Sequence, residues 1–252
     1  MRAHAASIRI DNLTVAYDRH PAVHHLCGAF EAGSMTAIVG PNGAGKSSLL
    51  KAMVGLLRPA EGRVDVTGAL MHDIAYLPQQ AELDRQFPIC VADTVAMGFW
   101  RRSGAFGAIT PAMRAASLEA LDAVGLRGFE SRLIGTLSVG QFQRVLFARV
   151  MVQDAPVILL DEPFNAIDTR TTDDLLALVH RWSGERRTIV AVLHDLDQVR
   201  RHFPETLLIS RELIGWGATG DTLTTDNLQR ARRMSEAWDE HAPLCDVAQV
   251  QG

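Results

Sequence analysis

The stretch Gly40-Pro41-Asn42-Gly43-Ala44-Gly45-Lys46-Ser47-Ser48 constrains this chain more than any other. It follows a short apolar run, residues 35–39 (MTAIV), and precedes a helical pattern from Leu49 to Leu57 that closes before Pro59. A buried strand, a glycine-rich turn and a helix, in that order, fit GxxxxGK[ST] in the context this pattern requires. Its glycines let backbone N–H groups converge on phosphate oxygens, and the helix N-terminus adds partial positive charge. Lys46 supplies a compact ammonium for the β- and γ-phosphates, and the Ser47 hydroxyl is placed to ligate Mg2+. Of the 25 basic residues only Lys46 and Lys51 are lysine. A lysine retained in such a background argues for a point charge where the planar guanidinium fits poorly. A chance glycine-rich turn is the plainer alternative, and the strand–helix context disfavours it.

At 252 residues the chain can bury a full hydrophobic core without disulfide or metal staples. Its net charge of −4 is carried by the last stretch, 235–252, where Glu236, Asp239, Glu240 and Asp246 have no basic counterpart. The balanced remainder gives no reason to expect a nucleic-acid partner. Cys27, Cys90 and Cys245 are odd in number and lack a CxxC, which suits a reducing compartment. No apolar run near the N-terminus suggests a secretory signal, and no stretch is apolar enough for a membrane span.

Residues 8–17 alternate apolar and polar, as an edge strand would. Residues 63–66 and 74–77 read as short strands. Helical patterns occupy 91–100, 111–124 and 138–153. Strands are expected again at 157–161, 188–193 and 206–210, with helices at 170–182 and 195–202 between them. This alternation predicts an α/β fold with a parallel sheet covered on both faces. The helical block, about 81–153, reads as an inserted subdomain of a single domain over 1–234. The tail 235–252 reads as acidic and mobile.

Residues 157–163 (VILLDEP) place Asp161 and Glu162 at the C-terminal end of a hydrophobic strand, the end where open α/β sheets bind ligands. Asp161 is placed to hold Mg2+, and Glu162 to orient and deprotonate an attacking water. Solvated charges at a strand exit are the alternative. In LSVGQ, residues 137–141, Ser138 and Gln141 form a capping box, which accounts for both without any ligand.

The order of these motifs resembles the ATP-binding cassette (ABC) family over about residues 8–215. The resemblance implies a P-loop NTPase of ABC type: a mostly parallel sheet core, an N-terminal antiparallel β part and an inserted helical subdomain. It implies ATP and Mg2+ as ligands, and cassettes that dimerise head to tail around two ATP molecules. Gly40 to Ser48 would bind ATP, with Lys46 also serving catalysis and Tyr17 stacking on adenine. Ser138, Gly140, Gln141 and Asp168 would meet the ATP bound by the partner. Gln79, in YLPQ, matches the glutamine that senses Mg2+ and the transporter. His194, in VLHD, matches the histidine that contacts the γ-phosphate. Plainer readings are a half-buried strand residue for Tyr17, a loop residue for Gln79, a helix cap for Asp168 and a capped-helix or core histidine for His194. Val139 departs from the family's usual glycine, and a β-branched residue there predicts a slower site. Ser48 replaces the usual threonine.

One cassette without a membrane span resembles the separate ATPase subunit of an importer, docked on the cytoplasmic face of the plasma membrane against permease subunits, with a substrate-binding protein as an indirect partner. Phe87, Pro88, Val91, Asp93, Val95 and Gly98 match the permease-facing pattern of zinc, manganese and iron importers. The resemblance ranks zinc before manganese and iron chelates. An exporter subunit, a soluble non-transport cassette and a binding-only cassette are the alternatives. His24, His25, Cys27, His241 and Cys245 read as ordinary surface residues, because a structural zinc site wants four ligands.

Overall fold

The computed structural model describes residues 6–17, 20–79, 84–104 and 107–236. In chain order the strands are β1 (Ser7–Tyr17), β2 (His20–Phe30), β3 (Met35–Val39), β4 (Glu61–Thr67), β5 (Ile74–Leu77), β6 (Val157–Asp161), β7 (Thr188–Val192), β8 (Glu205–Ser210) and β9 (Glu212–Ala218). The helices are α1 (Lys46–Met53), α2 (Val91–Ala96), α3 (Trp100–Ser103), α4 (Pro111–Ala123), α5 (Val139–Gln153), α6 (Thr169–Gly184), α7 (Leu196–His202), α8 (Thr219–Thr222) and α9 (Thr225–Glu236). They fall into two compact units. One holds Ala32–Ser34 and Gly68–Ala191; the other holds Ser7–Glu31, Met35–Thr67 and the chain from Val192 onward.

In the second of these units, β2, β1 and β4 form an antiparallel sheet in that order. The alternation over 8–17 therefore marks a central strand and not an edge. It reports the two faces of the sheet, with Ile8 and Ile10 buried and Arg9 exposed, and carries no information on position within it. The same unit pairs β3 parallel with β8, and β8 antiparallel with β9. Helix α1 stops at Met53, four residues short of the expected end. Gly55 turns left-handed at φ 74°, its N–H donates to the Ala52 carbonyl at 3.1 Å, and the Leu56 N–H reaches Lys51 at 2.8 Å. That glycine-centred stop outcompetes the apolar pattern running on to Leu57.

In the other unit β5 pairs parallel with β6, with Leu77 opposite Leu160. Every residue of β6 and β7 is buried, as expected of strands covered on both faces. Phe147 of α5 stacks on Trp182 of α6 with ring centroids 5.8 Å apart, both essentially buried. The helix expected at 91–100 divides into α2, a 3-10 turn over Met97–Phe99 and α3. The break is where the chain meets α5: a Cβ on Gly98 would lie 2.4 Å from Val152 Cγ2 and 2.5 Å from the Arg149 carbonyl oxygen.

Among the described residues no helix is long and apolar enough to cross a membrane. Of the tail expected over 235–252, residues 235–236 close α9; the remainder, with His241 and Cys245, lies outside the described residues.

Gly98→Ala should destabilise the protein by about 1–3 kcal/mol, the usual cost of overpacking. The measurement is a urea titration, with a lower midpoint and an unchanged slope expected.

Candidate functional site

The glycine-rich turn leaves β3 at Gly40 and enters α1 at Lys46. Gly45 stands before the first helical residue at φ 89°, and a Cβ there would lie 2.0 Å from the Ala22 carbonyl oxygen. A Cβ on Gly40 would lie 2.1 Å from the Ile209 carbonyl oxygen. Neither position accepts a side chain. Gly45 as N-cap makes no side-chain capping bond to α1, and a helix N-terminus suits an anion. Lys46 is 6% exposed, and its Nζ donates to the carbonyls of Gly40 and Pro41 at 2.9 Å each. The ammonium thus folds back over the turn it belongs to. In the same unit Tyr17 ends β1, and His194 is exposed between β7 and α7. Asp195 caps α7, accepting from the Asp197 and Gln198 N–H groups, so His194 is not a core residue.

The carboxylates belong to the other unit. Asp161 ends β6 fully buried, with the Tyr76 hydroxyl 3.4 Å from its Oδ2. Taking a carboxylate out of water is costly unless donors or a cation compensate, and the Tyr76 hydroxyl is one such donor. Asp161 and the Gln79 side-chain carbonyl are, within this unit, oxygen donors of the kind Mg2+ takes. Glu162 follows in a left-handed conformation, φ 49°. Such backbone costs on the order of 1–3 kcal/mol and gathers at functional sites. Parallel pairing explains its neighbour. Gln79 and Glu162 each lie two residues beyond the Leu77–Leu160 pair, and Gln79 Nε2 donates to Glu162 Oε2 at 2.9 Å.

Ser138 and Gln141 make the expected capping box on α5: Gln141 N–H to Ser138 Oγ at 3.2 Å, and Ser138 N–H to Gln141 Oε1 at 3.0 Å. Val139 opens the helix and is 37% exposed. A Cβ on Gly140 would sit 3.6 Å from Asp168 Oδ2 and 3.5 Å from Thr171 Oγ1, so α5 begins beside the start of α6. Asp168 caps α6, accepting from the Thr171 N–H at 2.9 Å and the Thr171 hydroxyl at 2.8 Å. Those bonds, the backbone one first, hold its carboxyl below the usual carboxylate range.

Three neighbours were not legible in the sequence: Tyr76 beside Asp161, Asn165 donating to Glu162, and buried Gln143, whose Nε2 donates to the Pro163 carbonyl at 2.7 Å. Only the proximity of Asn165 and Pro163 to Glu162 in sequence hinted at two of them. Of the pattern Phe87 to Gly98, Val91 and Val95 are core, Gly98 packs on α5, and Asp93 accepts from the Cys90 thiol at 3.0 Å. Phe87 is 60% exposed, as is nearby Trp100. Burial, followed by the bond to Asp93, pushes the Cys90 thiol pKa up. His25 Nδ1 lies 2.8 Å from Asn12 Oδ1, and His24 Nδ1 lies 3.7 Å from a Glu212 oxygen. Among the described residues no group of three or more His, Cys, Asp or Glu is arranged to hold a metal.

The family model for the ABC transporter matches residues 23–165, more than half of the chain. This chain belongs to that family. It is an ATP-binding cassette ATPase, with the mostly parallel P-loop fold of its kind. The cassette is 38% identical to the zinc transport system ATP-binding protein TroB of Treponema pallidum, over 91% of this chain and 88% of that protein. It is 37% identical to the manganese transport system ATP-binding protein MntB of Listeria monocytogenes, over 89% of this chain and 95% of that one. Among solved structures, the cassette matches an inward-facing ABC transporter assigned to the metal-chelate type. The TM-score is 0.80 and the identity 28%, over 90% of this chain and 89% of that one.

The lowered Asp168 carboxyl has a pH consequence. A depressed native pKa contributes stability above the unfolded-state value and loses it as pH falls through the native value. Asp168→Asn keeps an acceptor for the Thr171 N–H but does not titrate. Urea midpoints followed from neutral to acid pH should show the wild-type advantage shrinking to nothing at the acid end.

Proposed function

We propose that this cassette hydrolyses ATP to energise a membrane permease that imports a divalent metal ion, zinc first and manganese second. The observation that carries the reading is the 37–38% identity, over about nine-tenths of the chain, to ATP-binding proteins named for zinc and manganese transport systems. Those names divide between the two metals. The apolar exposure of Phe87 and Trp100 supports a permease contact within residues 84–100. Its place is peripheral, on the cytoplasmic face of the membrane.

In this reading Tyr17 stacks on adenine. Lys46 leaves the Gly40 and Pro41 carbonyls for the β- and γ-phosphates, joined by the N–H groups of Gly43 to Ser48. Asn42 and Ala44 complete the turn around them. Ser47, Asp161 and Gln79 would hold Mg2+, which when bound neutralises charge on the phosphates. Glu162 orients a water and takes its proton as the water oxygen bonds to the γ-phosphorus and the bond to the β–γ bridging oxygen breaks. His194 donates to the γ-phosphate. Two cassettes close on ATP, with Ser138, Gly140, Gln141 and Asp168 of each facing the nucleotide of the other. The Ser138–Gln141 box is the resting state of that face, since both side chains occupy each other.

Glu162→Gln should bind ATP, accumulate as a nucleotide-bound dimer, and lose about 10²–10⁴-fold in turnover, the usual contribution of a positioned base. The physiological test is cellular zinc, manganese and iron in a deletion strain grown under metal limitation. Wild type should restore one of the metals and Glu162→Gln should not. Unchanged levels of all three would overturn the import reading while leaving the ATPase intact.

A further inference from the structure

We infer that Asn165 is a positioning residue for Glu162, fixing its carboxylate for the attack on ATP. The inference rests on the reading of Glu162 as the base. Asn165 Nδ2 lies 3.1 Å from Glu162 Oε2, the same oxygen that Gln79 Nε2 reaches at 2.9 Å. An ionised carboxylate only accepts, so the atom each amide presents must be its NH2 group. Two donors on one oxygen fix the rotamer of a side chain that is otherwise long and mobile. Ordering a glutamate costs side-chain entropy, and here that cost is met before the substrate arrives.

The two amides differ in how they are tethered. Gln79 belongs to the loop after β5 and, by resemblance, serves the ATP site and the permease contact. Its bond to Glu162 is the one such service would give up. Asn165 sits in the same turn as Glu162, and its backbone N–H donates to the Glu162 carbonyl at 3.2 Å. One residue therefore closes the turn with its main chain and holds the carboxylate with its side chain. The turn is anchored independently by Gln143, 1% exposed, on the Pro163 carbonyl. When Gln79 moves, Asn165 keeps the carboxylate in place.

The test is ATP turnover by the full chain, with Asn165→Asp, Glu162→Gln and the double variant compared by single-turnover and steady-state assays. Asn165→Asp preserves shape, removes the donor and sets a second carboxylate against Glu162 Oε2. We expect kcat to fall about 10–100-fold, the scale of a hydrogen bond to a charged group, with KM for ATP within about twofold of wild type. On the Glu162→Gln background the same change should add nothing, because the base it positions is gone. Three results would overturn the inference. Asn165→Asp at wild-type kcat beside a disabled Glu162→Gln would remove Asn165 alone. An equal loss on both backgrounds would make its role structural. A fully active Glu162→Gln would remove the base itself, and the inference with it.

Discussion

The parallel pairing of β5 with β6 is the constraint on which the arrangement around Asp161 and Glu162 depends. With Leu77 opposite Leu160, β6 runs one residue further than β5, and the chain beyond each end is delivered to its neighbour. Tyr76 comes beside Asp161, and Gln79 beside Glu162. A one-residue slip would turn each of these side chains to the other face of the sheet. All five residues of β6 are buried.

The phosphate turn is governed by a different constraint, the exclusion of side chains. Carbonyls of Ala22 and Ile209 press against Gly45 and Gly40 so closely that a methyl group cannot be inserted. The backbone is thereby held with its N–H groups at the head of α1, and Lys46 is pinned by two carbonyls. An ammonium gains more from phosphate than from a backbone carbonyl, because a bond between two charged groups is roughly twice as strong. The turn as proposed would meet an anion with its cation already in place.

Much of this was legible in the sequence, and the reason is physical. Buried strands such as 35–39, 74–77 and 157–161 are short apolar runs with few ways to be read, and their bounds match. Sharp chemical signatures, a GK[ST] turn and a double carboxylate at a strand end, survive without structural context. What escaped was set by tertiary packing. Strand β2 hides behind an irregular register, with His25 at φ 48° and register shifts along β1. Strand β9 carries two glycines, and α9 buries little beyond Ala231. The split of the helix at Gly98 depends on Val152, more than fifty residues away in sequence. Asn165 gave no signal because an asparagine in a turn is commonplace. Its meaning comes only from the oxygen it faces.

If the turn from Gly40 to Ser48 is a phosphate site served by Lys46, removing that ammonium must weaken nucleotide binding. Calorimetric titration of the full chain with ATP and Mg2+ tests it most directly, with Lys46→Ala as the comparison. The account predicts saturable binding by wild type and an affinity about 10–100-fold weaker in the variant, the loss of a charged hydrogen bond to phosphate. Equal affinities would contradict it.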